Sequence, residues 1–323
     1  MRYFVYAFLL VFSITSCTNS DTAKRIVVDS SGNINNLQVV ITNDLWNGAV
    51  GEKVREVFAA PVDGLPQEEP MYSISQIPPS AFSGFTRQNR IFVSFAIGEA
   101  SKVKYANDPY AQPQLGVFVT GTTEAQLAET ITQNAQKIIK ALTKTEIKEK
   151  QRRIKKSLLN VTSLESTFGI NMKIPTAYRF AKQEDDFTWI RKDTRTGSVN
   201  IIVYEVGLDA LNDTSAVVQN IVRIRDSISG SRVTVPDGGR FVTEEAYAPY
   251  LFETTIDKKF TYLTKGTWEV KNLFMAGPFC NYAVRDEANN RYLIIEGFTF
   301  APSIAKRDYQ FELEAIINST TFK

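Results

Sequence analysis

The chain has 323 residues, 43% of them hydrophobic and 22% charged, which is the composition of a folded globular protein and excludes a disordered one. A formal net charge of +2 supplies no broad basic field, so no nucleic-acid partner is expected. There is no histidine, which removes Ser-His-Asp and Cys-His catalysis, histidine-ligated zinc and histidine-based pH sensing together.

At the start, Arg2 precedes an apolar run from Tyr3 to Phe12, and Ile14-Thr15-Ser16 leads into Cys17. A charged start, an apolar middle and small residues before a cut are the layout of a secretory signal peptide. The run falls short of the roughly 20 apolar residues that span a bilayer. The Cys directly after the small residues resembles the lipobox of bacterial lipoproteins. That resemblance implies removal of residues 1–16 and a lipid on Cys17 as the new N-terminus. No second apolar run approaches spanning length, so the lipid is the expected membrane attachment. At about 0.8 kcal/mol per buried CH₂, two or three acyl chains would make it near-permanent. Cys280 then has no cysteine to pair with, and beside Phe279 and Tyr282 it reads as a small buried hydrophobe.

Residues 17–36 are polar and small apart from Ile26-Val27-Val28, and read as a lipid-anchored tether with a short strand inside it. A first domain is expected over 37–160. Leu37–Ile41 fits a strand, and Asn43-Asp44 opens a helix through Leu45, Ala49, Val54, Val57 and Phe58. Met71–Ile77, Arg90–Ile97 and Leu115–Thr120 read as further strands, with Ile91, Val93, Phe95 and Ile97 alternating on one face. Thr122-Thr123-Glu124 opens a long helix carrying Leu127, Ile131, Ile138 and Leu142. This order predicts an α+β domain of ferredoxin-like type.

The long helix ends in a basic run, with Lys144, Lys148, Lys150, Arg152, Arg153, Lys155 and Lys156 set against Glu146 and Glu149. Cations near a helix C-terminus suit its dipole, and Glu146–Lys150 and Glu149–Arg153 are expected i,i+4 pairs. The sharper reading makes Lys148, Arg152, Arg153, Lys155 and Lys156 a contact for anionic lipid heads or an acidic partner.

Asn160–Ser166 is a polar break, and a second α+β domain is expected over 161–323. Phe168–Ile174 reads as an edge strand stopped by Pro175. Phe187–Arg191 and Val199–Val206 flank a turn at Arg195-Thr196-Gly197. Asp213-Thr214 caps a helix through Val217, Ile221 and Ile228 that Gly230 ends, and Pro236-Asp237-Gly238-Gly239 is a turn. Leu251–Ile256, Lys259–Thr264 and Thr267–Val270 read as a meander with a turn at Lys265-Gly266. A hairpin, Phe279–Val284 with Arg291–Phe300, and a last helix with Tyr309, Leu313, Ile316 and Ile317 complete the domain. Both domains are thus predicted as an antiparallel or mixed sheet with helices on one face.

No phosphate loop, CxxC, HExxH or EF-hand pattern is present, and no cofactor or metal site is expected. Glu184-Asp185-Asp186 and Glu244-Glu245 read as solvated loop acids. A carboxylate pair beside Trp189 or Trp268 would instead serve a glycoside hydrolase. The second half is rich in aromatics, and Glu244–Tyr250 mixes them with acids. Tyr247 and Tyr250 there are the expected exposed contact residues.

Three stretches carry a family resemblance: FGINMKIPTAYRFAKQEDDFTWIRKD, VPDGGRF, and NRYLIIEGFTFAPSIAKRDYQFELEAII. With SITSC at the start, they resemble an uncharacterised lipoprotein family, a domain of unknown function, of the Bacteroidota. The resemblance implies an outer-membrane lipoprotein and brings no catalytic residues. Thr18-Asn19-Ser20-Asp21 offers a single acid after the Cys, which favours the periplasmic face over the cell surface. Asp21-Thr22-Ala23 and Asp226-Ser227-Ile228 resemble that phylum's O-glycosylation triplet, a route to an attached glycan. The expectation is a non-enzymatic binding or accessory subunit of an envelope assembly with a protein partner. A polysaccharide- or peptidoglycan-binding lipoprotein is the alternative.

Overall fold

The computed structural model describes residues 27–235 and 238–323. Cys17, the expected signal segment 1–16, Asp21-Thr22-Ala23 and part of the turn at Pro236-Asp237 lie outside the described residues. What is described of the expected tether is built into the first lobe. Strand β1 (Val28–Asp29) pairs in parallel with a two-residue strand at Ala111–Gln112. A buried charge explains why this segment is held. Arg90 donates to the carbonyls of Gly32 and Asn33 at 3.1 and 2.8 Å and to both carboxylate oxygens of Glu146 at 2.6 and 3.0 Å. Glu146 also accepts the Asn35 N–H at 2.6 Å, so the loop, the sheet and the long helix meet on one ion pair.

The first lobe continues through β2 (Asn36–Val40), α1 (Asn43–Asn47), α2 (Ala49–Phe58), β3 (Ser73–Ile77), β4 (Ile91–Ile97), β5 (Lys102–Asn107), β6 (Ala111–Gln112), β7 (Leu115–Gly121) and α3 (Glu124–Ile154). Its main sheet runs β3-β2-β4-β7-β5, parallel at every pairing except β5 with β7. The expected ferredoxin-like arrangement is therefore replaced by a mainly parallel mixed sheet. Strand β4 shows why. Ile91, Val93 and Phe95 pack under α2 and α3, while Phe92 is equally buried on the other face against Phe82, Tyr110 and Phe118. Strands of parallel sheets are commonly buried on both faces, and the alternation of its neighbours conceals the Phe92 side. The helices cover one face, as expected. Helix α3 starts where Thr123 Oγ1 accepts the Gln126 N–H at 3.2 Å.

In the second lobe come α4 (Thr162–Phe168), β8 (Ile170–Asn171), β9 (Arg179–Gln183), β10 (Phe187–Asp193), β11 (Ser198–Gly207), α5 (Val217–Arg232), β12 (Arg240–Thr243), β13 (Tyr250–Ile256), β14 (Lys259–Lys271), β15 (Ala276–Asp286), β16 (Arg291–Phe300), α6 (Arg307–Ile317) and β17 (Thr321–Phe322). The antiparallel sheet runs β12-β14-β15-β16-β11-β10-β9, with β13 beside β12 on the outer side of β14. Helices cover both faces here, contrary to the one-face expectation. Helices α4, α6 and the end of α3 close one face through Leu164, Phe168, Ile154, Leu313 and Ile317. Helix α5 closes the other through Val217 and Ile221, over Trp268, Phe279 and Phe298. The inner strands are apolar on both sides, which demands two covering layers.

Several local readings change, among them the helix expected from Asp213-Thr214 to Gly230, which starts after Ala216 and runs through Gly230 to Arg232. The polar break at Asn160–Ser166 is largely helix α4, whose Leu164 is buried. The edge strand expected from Phe168 to Ile174 shrinks to β8, paired with β17. The turn expected at Lys265-Gly266 lies inside the continuous strand β14, and the chain reverses at Asp257-Lys258, both with positive φ. Gly266 serves close packing, since a Cβ there would fall 3.0 Å from the Phe279 ring.

Replacing Glu146 by Ala leaves the Arg90 guanidinium buried and unpaired. The expected loss is about 3–5 kcal/mol in urea unfolding, with residues 30–36 losing hydrogen-exchange protection first.

Candidate functional site

Two contacts lock the lobes together. In the first, the loop between α2 and β3 folds back on itself, Val62 N–H donating to the Glu69 carbonyl at 3.0 Å, and leans on the second lobe. The Glu69 carboxylate accepts the backbone N–H of Lys306 and of Arg307, at 2.7 and 2.9 Å. A side chain of one lobe thus caps the first turn of α6 in the other, where a carboxylate also suits the helix dipole. Arg307 answers by donating to the Pro70 carbonyl at 2.9 Å. Gly64, at φ +81°, lies so close to β14 that a Cβ would sit 2.9 Å from that of Lys265, so glycine is required on both counts.

The second contact joins α3 to α6. Gln151 donates to the Ala315 carbonyl at 2.9 Å, and Lys150 pairs with Glu312 at 2.7 Å. Glu312 also takes Lys192 from β10 and the Tyr178 hydroxyl at 2.8 Å. Burial pushes the Glu312 carboxyl up, but the two ammonium groups outweigh it and hold its pKa at about 2. The expected Glu146–Lys150 pair does not form, because each partner has a stronger engagement elsewhere. Glu149–Arg153 does form at 2.7 Å, joined by Arg152 at 2.7 Å.

Between these contacts lies an interlobe cleft in two compartments that share Pro61, Val62 and Asp63. The inner one, about 170 Å³, is floored by Tyr72, Thr143, Arg307 and the Lys265–Glu314 ion pair at 2.6 Å. Burial lowers the Lys265 pKa, yet the Glu314 carboxylate more than reverses it, so this lysine stays charged and is no base. The outer compartment, about 690 Å³, is bounded by residues 60–68 on one side and by Tyr247, Tyr250, Gly266 and Thr267 on the other. Tyr247 is 70% exposed and Tyr250 51% exposed. Asp63 and Glu68 stand in the same wall, and neither makes an ion pair among the described residues. Aromatic faces beside unpaired carboxylates attract a cation that carries apolar surface.

Of the residues singled out from sequence, Tyr247 and Tyr250 meet in this cleft. The basic set lies elsewhere. Lys148 and Arg152 border a separate hollow of about 380 Å³ with Asn107, Asp108 and Gln114, and Lys155 and Lys156 are exposed just past α3. Arg153 also donates to the Gly32 carbonyl at 3.2 Å. Glu184 and Asp186 both pair with Arg232, and Ser227 of the second glycosylation triplet is exposed within α5. Cys280 packs in the core, where burial pushes its thiol pKa up. Trp189 and Trp268 are 7% and 2% exposed, and the pocket they border has no carboxylate in its lining among the described residues. Sequence reading missed the loop partner of the tyrosines. Its one signal is Asp63-Gly64 bracketed by Pro61 and Pro70, which reads locally as a helix stop.

The class of molecule is therefore a two-lobed α+β protein with an acidic, tyrosine-lined cleft at the lobe junction. The chain belongs to the family described as a domain of unknown function, DUF4837, whose profile matches residues 157–319. Residues 30–155 match a second domain of unknown function, DUF8532. No curated protein matches the chain. Similar solved structures include the Ran-binding protein Mog1p of Saccharomyces cerevisiae, 13% identical, covering 48% of this chain and 90% of that one with a TM-score of 0.34. A mutant of Mog1 gives 14% identity, the same coverages and a TM-score of 0.33. Likeness at that level carries no argument.

Acid should loosen the lobe junction at Glu312 and the last turns of α3 at Glu149. Glu312 and Glu149 are both held at about 2 against an ordinary 4.5. Their contribution is full above pH 4.5 and is lost as pH falls from there through 2. A series of melting curves from pH 6 to 2 should show this decline, and Glu312→Gln should start lower at pH 6 and fall less steeply (about pH 2 being the common endpoint).

Proposed function

We propose that this protein is a lipid-anchored, non-enzymatic binding subunit of a bacterial outer-membrane assembly. It is held by an acyl group on Cys17 and engages its partner through the interlobe cleft. The observation that carries the binding half is the exposure of Tyr247 and Tyr250 across from Asp63 and Glu68. Large exposed aromatics grouped at a concave junction are uncommon unless something covers them. The anchoring half rests on Arg2, the apolar run to Phe12 and Cys17. The resemblance to lipoproteins of the Bacteroidota adds the outer membrane, and the lone Asp21 after the Cys favours its periplasmic face.

Binding is preferred to hydrolysis because the charged groups in the cleft floor are already satisfied. Lys265 is held by Glu314, and Arg307 is held by Asp308 and the Pro70 carbonyl. A hydrolase would want two carboxyl groups facing each other across a substrate groove, one free to take up and release a proton.

Two measurements test the two halves. Cells fed a palmitate probe should label the chain, and Cys17→Ala should abolish the label. In native membranes, Tyr247→Ala with Tyr250→Ala should cost under about 0.5 kcal/mol of stability while abolishing stoichiometric co-purification of the partner. Retention of the partner by the double variant would reject the cleft.

A further inference from the structure

The cleft opens directly onto strand β13, which begins at Tyr250. Among the described residues this strand pairs on one side only, with β14. The reversal at Asp257-Lys258 has φ of 45° and 67°, a two-residue hairpin turn, so Ile256 and Lys259 form the hydrogen-bonded closing pair. Counting back along the ladder, Leu251, Glu253 and Thr255 aim their N–H and C=O groups away from β14. Beside this open edge, Tyr250 and Phe252 stack with ring centroids 6.4 Å apart, and Leu251 is exposed on the opposite face. Natural edges are usually blunted by proline, a bulge or charged side chains; β13 has no proline, bulge or lysine between Tyr250 and Ile256, and its one charge is Glu253.

We infer that β13 is a docking edge for an extended, cation-bearing segment of another protein, which adds as a strand and runs on into the tyrosine cleft. The inference builds on the reading of this junction as a binding surface and names what binds. Charge selects the occupant. Asp63, Glu68 and Glu253 lie along the cleft and the edge without an ion pair among the described residues, and Glu245 is weakly held by Lys271 at 3.5 Å. The lysines of the β14 ladder are engaged, Lys265 by Glu314 and Lys259 by Asp286, and the exposed Lys258 lies in the hairpin turn at the far end of β13 from the cleft. The same charge disfavours a second copy. Antiparallel self-pairing over all of Tyr250–Ile256 places Glu253, the central residue, directly opposite Glu253 of the other copy, and like charges so placed repel.

The test uses the full chain and two fluorescein-labelled nine-residue peptides, one alternating valine with lysine and one alternating valine with glutamate, read by anisotropy. The lysine peptide should bind and the glutamate peptide should bind at least about fivefold more weakly. Glu253→Pro removes an outward N–H while sparing the β14 ladder. It should weaken the lysine peptide about fivefold or more with the melting curve unchanged. Should that variant fold poorly, Glu253→Lys keeps the backbone and should narrow or invert the preference between the peptides. Equal binding of the two peptides, or binding indifferent to both substitutions, overturns the inference. So does a dimer in sedimentation that Glu253→Pro abolishes, since that gives the edge to a second copy. None of these outcomes depends on the lipid, so a failed palmitate label would reject the anchoring and leave this result standing.

Discussion

The carboxylate of Glu312 is where the molecule is tied together. It takes Lys150 from α3, Lys192 from β10 and the Tyr178 hydroxyl, three groups that reach it from different parts of the chain. Helix α3 can be shared by both lobes only because its last turns meet α6 there. Its earlier residues Leu127, Ile131, Ile138 and Leu142 belong to the first core, and Ile154 belongs to the second. A 31-residue helix would otherwise project a charged, half-apolar end into water. Its basic run is therefore structural only in part. Lys150 joins lobes, Arg152 and Arg153 neutralise Glu149, and Lys148, Lys155 and Lys156 are left facing solvent.

With α3 and α6 fixed, the loop from Pro61 to Pro70 has one place to lie, and the Glu69 cap on α6 sets it. The cleft follows from those two anchors. Its walls come from opposite lobes, and the loop wall is pinned by the Glu69 cap. The second lobe is stiffened from its far face by another buried ion pair. Arg225 of α5 lies between the rings of Phe241 and Phe279, 4.7 and 4.2 Å from their centroids, and donates to Glu296 at 3.0 Å. Burial raises the Glu296 pKa more than Arg225 lowers it, so the pair gives position rather than strength.

Much of this was legible in the residues. The spacing of Leu127, Ile131, Ile138 and Leu142 located α3, alternation located β4, and apolar runs on either side of turns located β10, β11, β15 and β16. The α+β class followed from their order. The failures share one cause, which is that local pattern is silent about what lies across a gap. Phe92 looked like an outward residue until Phe82 and Tyr110 covered it, and Gly266 looked like a turn because the ring of Phe279 above it is remote in sequence. Glu146 and Lys150 have ideal helical spacing, yet each is claimed by a charge from another element, Arg90 and Glu312. At the site, Tyr247 and Tyr250 were marked by their company of acids. Asp63 and Glu68 were not, since they sit far away in the chain.

That last gap bears on the nature of the site. Charges placed for chemistry are kept available, whereas here the basic groups at the lobe junction are spent on structure and the acids at its mouth are left unpaired. Lys265, Arg307, Lys150 and Lys192 each have a carboxylate, while Asp63, Glu68 and Glu253 have no ion pair among the described residues. The asymmetry gives the cleft and the adjoining edge a negative field over an aromatic surface, and such a field attracts by sign and holds by contact. On the binding role proposed above, the residues that decide the grip are the tyrosines and the acids that make no ion pair among the described residues.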